Sequence, residues 1–219
     1  MSDTGDESET PRADRFLRLR PIHVDLGDVL VQIVAVGLGV TLGFALTSWN
    51  ERVHESGLLH ATVGNVVAEL SSNQSGMHGV LGDHAKAAST LLALLASAKA
   101  SKSITLEQGS HALGVAGHFR ENVPLSIAWQ IAQNDQGLTL LPYQDRYDLA
   151  WVYQLQSAYY QTEQQYRTSL LTLAESPNGN YYFQAGDLTN QIQSVVEVER
   201  QLDVLYTHEI KHLRDEFGV

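Results

Sequence analysis

The feature that most constrains this chain is a run of 22 residues without a charge near its start. The run covers residues 29–50 and is bracketed by Asp28 and Glu51. A helix needs ~20 mostly apolar residues to cross the ~30 Å hydrocarbon core of a bilayer. Trp49 lies at the end of the run, where an interfacial aromatic residue is expected. The run therefore predicts a transmembrane helix over residues 28–49.

Two other interpretations of the run fit less well. A buried helix of a soluble protein rarely continues so long without a charged residue. A cleaved signal peptide has an apolar core of only ~7–15 residues and a small-x-small cleavage site. This run instead continues into S-W-N-E. We therefore expect an uncleaved anchor and name the lipid bilayer as one partner.

Basic residues flank the run unequally. Arg52 alone follows it closely, and the next positive residue is Lys86, whereas four arginines precede it: Arg12, Arg15, Arg18 and Arg20. Basic residues favour the cytoplasmic side of a span. We expect residues 1–27 to form a cytoplasmic, largely disordered tail and residues 50–219 to lie outside the cytoplasm.

Small residues recur at helical spacing within the run, at Ala35, Gly39 and Gly43. A G-x-x-x-G pattern lets two membrane helices approach closely. The other interpretation is that glycine is simply common in membrane helices. The pattern makes these residues candidates for helix packing in the membrane.

The helix is expected to continue beyond the run, because no turn signal occurs before Lys99. A heptad seam, typical of a coiled coil, follows residues 59–98. Ten of its twelve positions are apolar: Leu59, Val63, Val66, Leu70, Asn73, Met77, Val80, His84, Ala87, Leu91, Leu94 and Ala98. Such a seam packs against partner helices. We interpret Asn73 and His84 as a register-setting polar pair or, for His84, a satisfied core histidine, and a ligand-binding role is the alternative.

Helices are also expected in the remainder of the chain. Thr105 and Gln108 have capping-box spacing before a helix at 106–117. A short helix at 125–134 would end with Gly137 as its C-terminal cap. Pro142 opens a helix that extends to about 175, and Asp187 would cap a last helix at 188–217. The predicted fold is all-α, with one N-terminal transmembrane helix that continues into a long helix of an elongated antiparallel bundle.

Several function classes are excluded or disfavoured. The formal net charge of −11 argues against nucleic acid, because phosphate binding needs a basic face. The chain has no cysteine, which excludes disulfides, thiolate metal sites and cysteine catalysis. There is no nucleophile elbow and no glycine-rich phosphate loop. Glu197 and Glu199 cannot face each other across a cleft from one helix, and the remaining acidic residues are interpreted as solvated faces. We expect no enzyme and no cofactor.

One motif opposes that expectation. His208, Glu209 and His212 spell H-E-x-x-H, in which two histidines share a helix face and can bind zinc while the glutamate acts as a general base. A third ligand is needed. We expect Glu216 or Asp215 to reach such a metal only if the helix end is distorted, so His54 or His60 would have to supply it. Because this requirement is unmet locally, we predict no metal site and keep a zinc hydrolase at His208 and His212 as the third hypothesis.

Tyrosines crowd one region together with two tryptophans: Tyr143, Tyr147, Tyr153, Tyr159, Tyr160, Tyr166, Tyr181, Tyr182, Trp129 and Trp151. These side chains fit large packing residues of a thin bundle, and alternatively the wall of a ligand pocket. The second interpretation would make the bundle an extracytoplasmic sensor.

Two stretches together carry a family resemblance. The first is the apolar run that closes on Trp49, Asn50 and Glu51. The second is A-W-Q-I-A-Q-N-D-Q-G-L-T-L-L-P-Y at 128–143, with Trp129, Ala132 and Gly137. The pairing resembles a widespread family of uncharacterised, single-span bacterial membrane proteins that carries a label of unknown function. The resemblance implies the bacterial inner membrane and a periplasmic helical region, and it brings no catalytic residues.

These observations favour a membrane-anchored structural or accessory protein. Its partner would be another membrane or envelope protein, or a second copy of itself. The ligand-binding sensor is the alternative.

Overall fold

The structure is a computed structural model that describes residues 26–117, 120–174 and 181–219. In this part of the chain there are six helices and no strand, so the predicted all-α class is confirmed. The helices are α1 (Leu26–Ala98), α2 (Leu106–Gly117), α3 (Ile127–Asn134), α4 (Gly137–Leu140), α5 (Tyr143–Ala174) and α6 (Tyr181–Phe217). The chain divides into two compact units, Met1–Asn50 and Glu51–Val219, and the boundary falls inside α1.

The described part of the first unit is the beginning of α1. Every large apolar side chain from Leu30 to Trp49 is at least half exposed. The most apolar window of this stretch has a mean hydropathy of 2.3, and none of it is buried. The helix is long and apolar enough to cross a membrane. Residues 1–25, with the four arginines of the predicted tail, lie outside the described residues.

In the second unit, α1 presents the predicted seam to a hydrophobic core. Ten of the twelve seam positions are buried, and Leu59 and Leu94 are partly buried against the same core. The helix ends at Ala98, where the sequence places the first turn. The heptad pattern thus located both the buried face of the helix and its end.

Helix α6 runs antiparallel to α1. Gln74 of α1 donates a hydrogen bond to the Asp203 carboxylate of α6 at 2.8 Å. Further along α1, His84 pairs with Glu199, which comes earlier in α6. The two helices therefore pass each other in opposite directions with their buried faces together.

Helix α5 runs in the same direction as α1. Tyr153 of α5 bonds Glu69 of α1, and one α1 turn later Asn73 bonds Gln156. Two parallel helices need a connection that returns along the bundle. Residues 99–142 supply that return, and they contain α2, α3 and α4.

The start of α2 is a reciprocal capping box, as the spacing of Thr105 and Gln108 predicted. The Gln108 amide donates to Thr105 Oγ1 at 3.2 Å, and the Thr105 amide donates to Gln108 Oε1 at 3.0 Å. Two otherwise unpaired amides at the helix start are satisfied in this way.

Gly137 is not the C-terminal cap of α3, so that expectation is wrong. Asp135 occupies the cap position in an extended conformation, and Gly137 begins α4. A Cβ atom at Gly137 would overlap the side chain of Thr62 on α1. Close approach of the Thr62 side chain, and not a helix end, is the reason for glycine here.

The start of α6 also differs from the expectation. The helix begins at Tyr181, so Asp187 lies inside it and does not cap it. Tyr181 and Ala185 are buried and extend the apolar face by almost two turns. The predicted turn at 176–180 lies outside the described residues.

Candidate functional site

The predicted packing face of the first unit consists of Ala35, Gly39 and Gly43. These residues follow each other at intervals of four and so lie on one side of α1. Nothing lies within 4 Å of the positions that Cβ atoms would take at Gly39 and Gly43. The face is therefore open enough for the backbone of another helix to approach it.

Two threonines in the same stretch have their hydroxyls satisfied within the helix. Thr41 Oγ1 donates to the Gly37 carbonyl at 2.8 Å, and Thr47 Oγ1 donates to the Gly43 carbonyl at 3.0 Å. An unpaired hydroxyl is costly in hydrocarbon, and this bond to the carbonyl four residues earlier removes the cost. The polar groups of Thr41 and Thr47 are thus compatible with an apolar environment.

The motif residues of the family resemblance fall into two groups. Trp49, Asn50 and Glu51 are exposed on α1. Trp129 and Ala132 are buried on α3. The Trp129 ring stacks on Tyr153 with centroids 4.9 Å apart and planes 9° apart. The central group is therefore part of the packing that docks α3 onto the bundle.

A buried carboxylate holds the start of α3. Glu69 of α1 accepts hydrogen bonds from the amides of Ala128, at 2.7 Å, and Trp129, at 3.3 Å. The Tyr153 hydroxyl donates to the same carboxylate at 2.7 Å. Burial and the neighbouring Glu69 charge raise the pKa of Tyr153, which keeps the phenol protonated as a donor. Glu69 thus caps a helix that is distant in sequence.

A second polar cluster holds the chain just before α3. Asn73 accepts a hydrogen bond from the Leu125 amide at 2.7 Å and donates to the Leu125 carbonyl at 2.8 Å. Gln156 donates to the same carbonyl at 2.7 Å and accepts from Asn73 and from the Tyr206 hydroxyl. The predicted polar seam residue Asn73 and its partner Gln156 therefore hold Leu125 between α1 and α5, and Gln156 extends the network to Tyr206 of α6.

The third cluster centres on His84, which is fully buried. Its Nε2 lies 3.1 Å from the Arg120 carbonyl, which can only accept, so Nε2 donates. Its Nδ1 lies 2.5 Å from Glu199 Oε1. A single proton must lie between these two atoms, held by the imidazole or by the carboxyl group. Tyr159 donates to the same oxygen at 3.2 Å. The predicted satisfied core histidine is confirmed, and its main partner is an acid.

Glu163 of α5 is fully buried beside this cluster. Burial raises its pKa to about 7, although the Asn122 amide, His84 and Tyr159 each favour the charged form. Burial and nearby acids likewise raise the pKa of Tyr159. The centre of the bundle therefore contains two buried carboxyl groups, a histidine and a phenol close together.

The expectation that the remaining acidic residues form solvated faces is wrong for Glu69, Asp145 and Glu163, and two acids outside that expectation, Glu199 and Glu209, are buried as well. Each lies on an apolar face at helical spacing, for example Glu199 between Val195 and Leu202. That spacing was a readable signal, because an acid on a buried face requires a partner.

The H-E-x-x-H motif does not form one cluster. His208 is largely exposed, and its Nδ1 lies 2.9 Å from Glu209, a neighbour that is itself buried. The His208 and His212 rings are stacked with centroids 6.3 Å apart. His54 and His60, the expected sources of a third ligand, are exposed on α1.

His212 instead belongs to a triad with Asp145 and Glu216. His212 Nε2 lies 3.1 Å from Asp145 Oδ1 and 3.2 Å from Glu216 Oε2. Antiparallel packing brings the first turn of α5 to the last turns of α6. The hydrogen bond with Asp145 raises the pKa of His212. Glu216 reaches His212 within a regular helix that extends to Phe217.

The tyrosine-rich region does not form an enclosed pocket in the described residues. Tyr153, Tyr159, Tyr166 and Tyr181 are buried in the core, whereas Tyr143 and Tyr147 are exposed. An open cleft of 560 Å³ includes Trp129, Tyr153 and Tyr160 in its wall. This division supports the interpretation of the tyrosines as packing residues.

Comparison with known proteins finds no relative of this chain. No family model matches the chain. No curated protein and no solved structure matches it either. The resemblance to uncharacterised single-span membrane proteins therefore stays a prediction.

Proposed function

We propose that this chain is a membrane-anchored interaction protein of a bacterial inner membrane. The observation that carries the proposal is the stretch of α1 at residues 29–50. This stretch has no charged residue, and its large apolar side chains from Leu30 to Trp49 are exposed. Exposing so much apolar surface to water would be strongly unfavourable at ~25 cal/mol per Å². A bilayer is the environment that matches its length and composition.

The proposed contact with a partner is the Ala35–Gly39–Gly43 face. The absence of any group within 4 Å of Gly39 and Gly43 supports it, because a second transmembrane helix needs that space. The partner is another membrane or envelope protein, or a second copy of this chain. The role is structural or accessory, and the densely packed core of the second unit is consistent with it.

The test of the contact is cross-linking in native membranes followed by purification of the full chain. We expect the double substitution Gly39→Leu and Gly43→Leu to abolish the cross-linked species. Gly37→Leu is the matched control, since residue 37 lies on the opposite side of the helix. The mass of the cross-linked species distinguishes a second copy from a different protein. Recovery of no partner by the unaltered chain would contradict the proposal.

The orientation is proposed from the arginines before the span, with residues 50–219 in the periplasm. Because the chain contains no cysteine, single introduced cysteines report their side cleanly. A membrane-impermeant maleimide should label Ser194→Cys when the outer membrane alone is opened. It should label Ser2→Cys only after the inner membrane is also disrupted. The reverse result would invert the topology.

A further inference from the structure

We propose that Asp145, His212 and Glu216 form a binding site for a divalent transition-metal ion, with zinc as the representative ion. The site joins the first turn of α5 to the last turns of α6. It shares His212 with the H-E-x-x-H motif but uses neither His208 nor Glu209. The inference does not depend on the proposed membrane function.

Two of the three distances between the ligand atoms are those of a coordination shell. Ligand atoms about 2.0–2.1 Å from zinc at tetrahedral angles lie about 3.3 Å from one another. His212 Nε2 lies 3.1 Å from Asp145 Oδ1 and 3.2 Å from Glu216 Oε2, and all three atoms lie within 4.8 Å of each other. Small rotations of these side chains would suffice to place an ion between them.

The buried member of the site has unused binding capacity. Asp145 is only 5% exposed. Its Oδ1 faces His212, while its Oδ2 is buried and has no hydrogen-bond partner. A buried carboxylate oxygen without a partner is costly, and a metal ion satisfies a carboxylate through one or both oxygens.

The other two members are accessible. The side chains of His212 and Glu216 are 38% and 43% exposed, so an ion can enter from solvent and a water molecule can complete the shell. Both oxygens near Nε2 are acceptors, so Nε2 holds a proton that the ion would replace. One imidazole and two carboxylates suit zinc and related first-row ions better than magnesium.

The test is zinc titration of the full-length protein, purified from membranes in detergent with a tag that contains no histidine. The protein is first stripped with a chelator, and binding is followed by calorimetry in the presence of millimolar magnesium. We expect one zinc ion per chain. Asp145→Asn and His212→Gln should weaken binding by more than ~100-fold, since each removes a ligand. His208→Gln is the matched control and should change the affinity by less than ~3-fold.

The same set of variants distinguishes this site from the H-E-x-x-H motif. Loss of zinc binding in His208→Gln with retention in Asp145→Asn would overturn the proposal, as would the absence of saturable binding by the unaltered protein. Because Asp145 is buried and its substitution can unfold the chain, Glu216→Gln provides an exposed variant. It should keep the circular dichroism spectrum and the melting temperature of the zinc-free protein yet bind zinc more weakly. Unchanged affinity in folded Glu216→Gln would also overturn the site.

Discussion

The two parts of α1 differ in where they place apolar side chains: the first part exposes them and the second part buries them. Between Leu30 and Trp49 the helix carries no charge, exposes its large apolar side chains and satisfies its threonine hydroxyls internally. Between Leu59 and Ala98 it buries an apolar seam that also contains the polar residues Asn73 and His84. The first part exposes apolar side chains on all sides, whereas the second is sharply divided into a buried and an exposed face.

The difference shows that apolarity and burial are separate properties. The large apolar side chains from Leu30 to Trp49 are exposed in the part of the chain that the structure describes, and the proposed membrane would supply their apolar environment. The second part finds its environment within the chain, and there it can use charged groups because α5 and α6 supply matching partners. Adding charge to the first part should therefore affect membrane retention, whereas removing a buried polar group from the second part should affect the free energy of unfolding.

The largest effect is expected from placing charge in the first part. Leu38→Arg combined with Leu42→Arg should release the chain from membranes, because each arginine near a span centre costs about 2.5–3.5 kcal/mol on the insertion scale. The measurement is the fraction that stays with membranes after carbonate extraction. Two arginines at the exposed positions Ser194 and Gln201 of α6 serve as the control and should leave that fraction unchanged. Full retention of the Leu38 and Leu42 double variant would contradict a membrane span.

The next effect concerns removal of a polar group from the second part. His84→Leu should destabilise the folded bundle by about 3–5 kcal/mol, because it leaves Glu199 buried without its partner. Adding Glu199→Leu should recover much of that loss. The free energy of unfolding is measured by denaturant titration with circular dichroism. A loss below about 1 kcal/mol in the single variant would show that the pair is not coupled.

A pH dependence is expected from Glu163. Its pKa is raised from 4.5 to about 7 in the folded protein, so the folded state binds the proton more tightly than the unfolded state. The stability linked to this group is complete below pH 4.5, falls between about pH 4.5 and 7, and is constant above. The total change is about 3 kcal/mol.

The measurement is the difference in unfolding free energy between the native chain and Glu163→Gln across that range. Comparison of the two proteins isolates Glu163 from the other titrating groups nearby, which are His84, Tyr159, Glu199 and Glu121. A difference that does not vary with pH would refute the assignment.

The smallest effect is expected from the glycines. Gly137→Ala should destabilise the bundle by ~1–3 kcal/mol, since the added Cβ overlaps Thr62. The combination with Thr62→Ser tests whether a smaller side chain relieves the overlap. Gly186→Ala is the control, because its Cβ would meet nothing within 4 Å and alanine favours a helix by up to ~1 kcal/mol. Equal melting temperatures for Gly137→Ala and the native chain would contradict the close approach.

Local signals in the sequence located much of the fold. The heptad seam, the end of α1 at Ala98 and the capping box of Thr105 and Gln108 each depend on residues a few positions apart. The misplaced start of α6 and the role of Gly137 have a different origin. Tyr181 is buried by packing against other helices, and Gly137 is constrained by Thr62, which is 75 residues away in the sequence.

The candidate sites also differ in whether their residues are neighbours in the sequence or come from different helices. The Ala35–Gly39–Gly43 face depends on spacing alone, so the sequence contains all of it. Two of the three residues of the proposed metal site, His212 and Glu216, are one turn apart in the sequence, whereas Asp145 comes from another helix and has no local signal. Burial of the acids was not predicted, because their charge was taken as a sign of exposure and their positions on the apolar faces of the helices were not considered. Glu199 and Glu163 both lie on the apolar stripes of their helices.

The chain at 120–129 is fixed by side chains of the long helices before α3 begins. Glu163 and Asn73 accept the amides of Asn122 and Leu125, and Glu69 accepts the amide of Ala128. These amides lose their acceptors when the segment detaches from the long helices or when the long helices separate. In hydrogen–deuterium exchange these amides should therefore be protected although the segment has little regular structure, and their exchange rate would report how often the segment leaves the bundle.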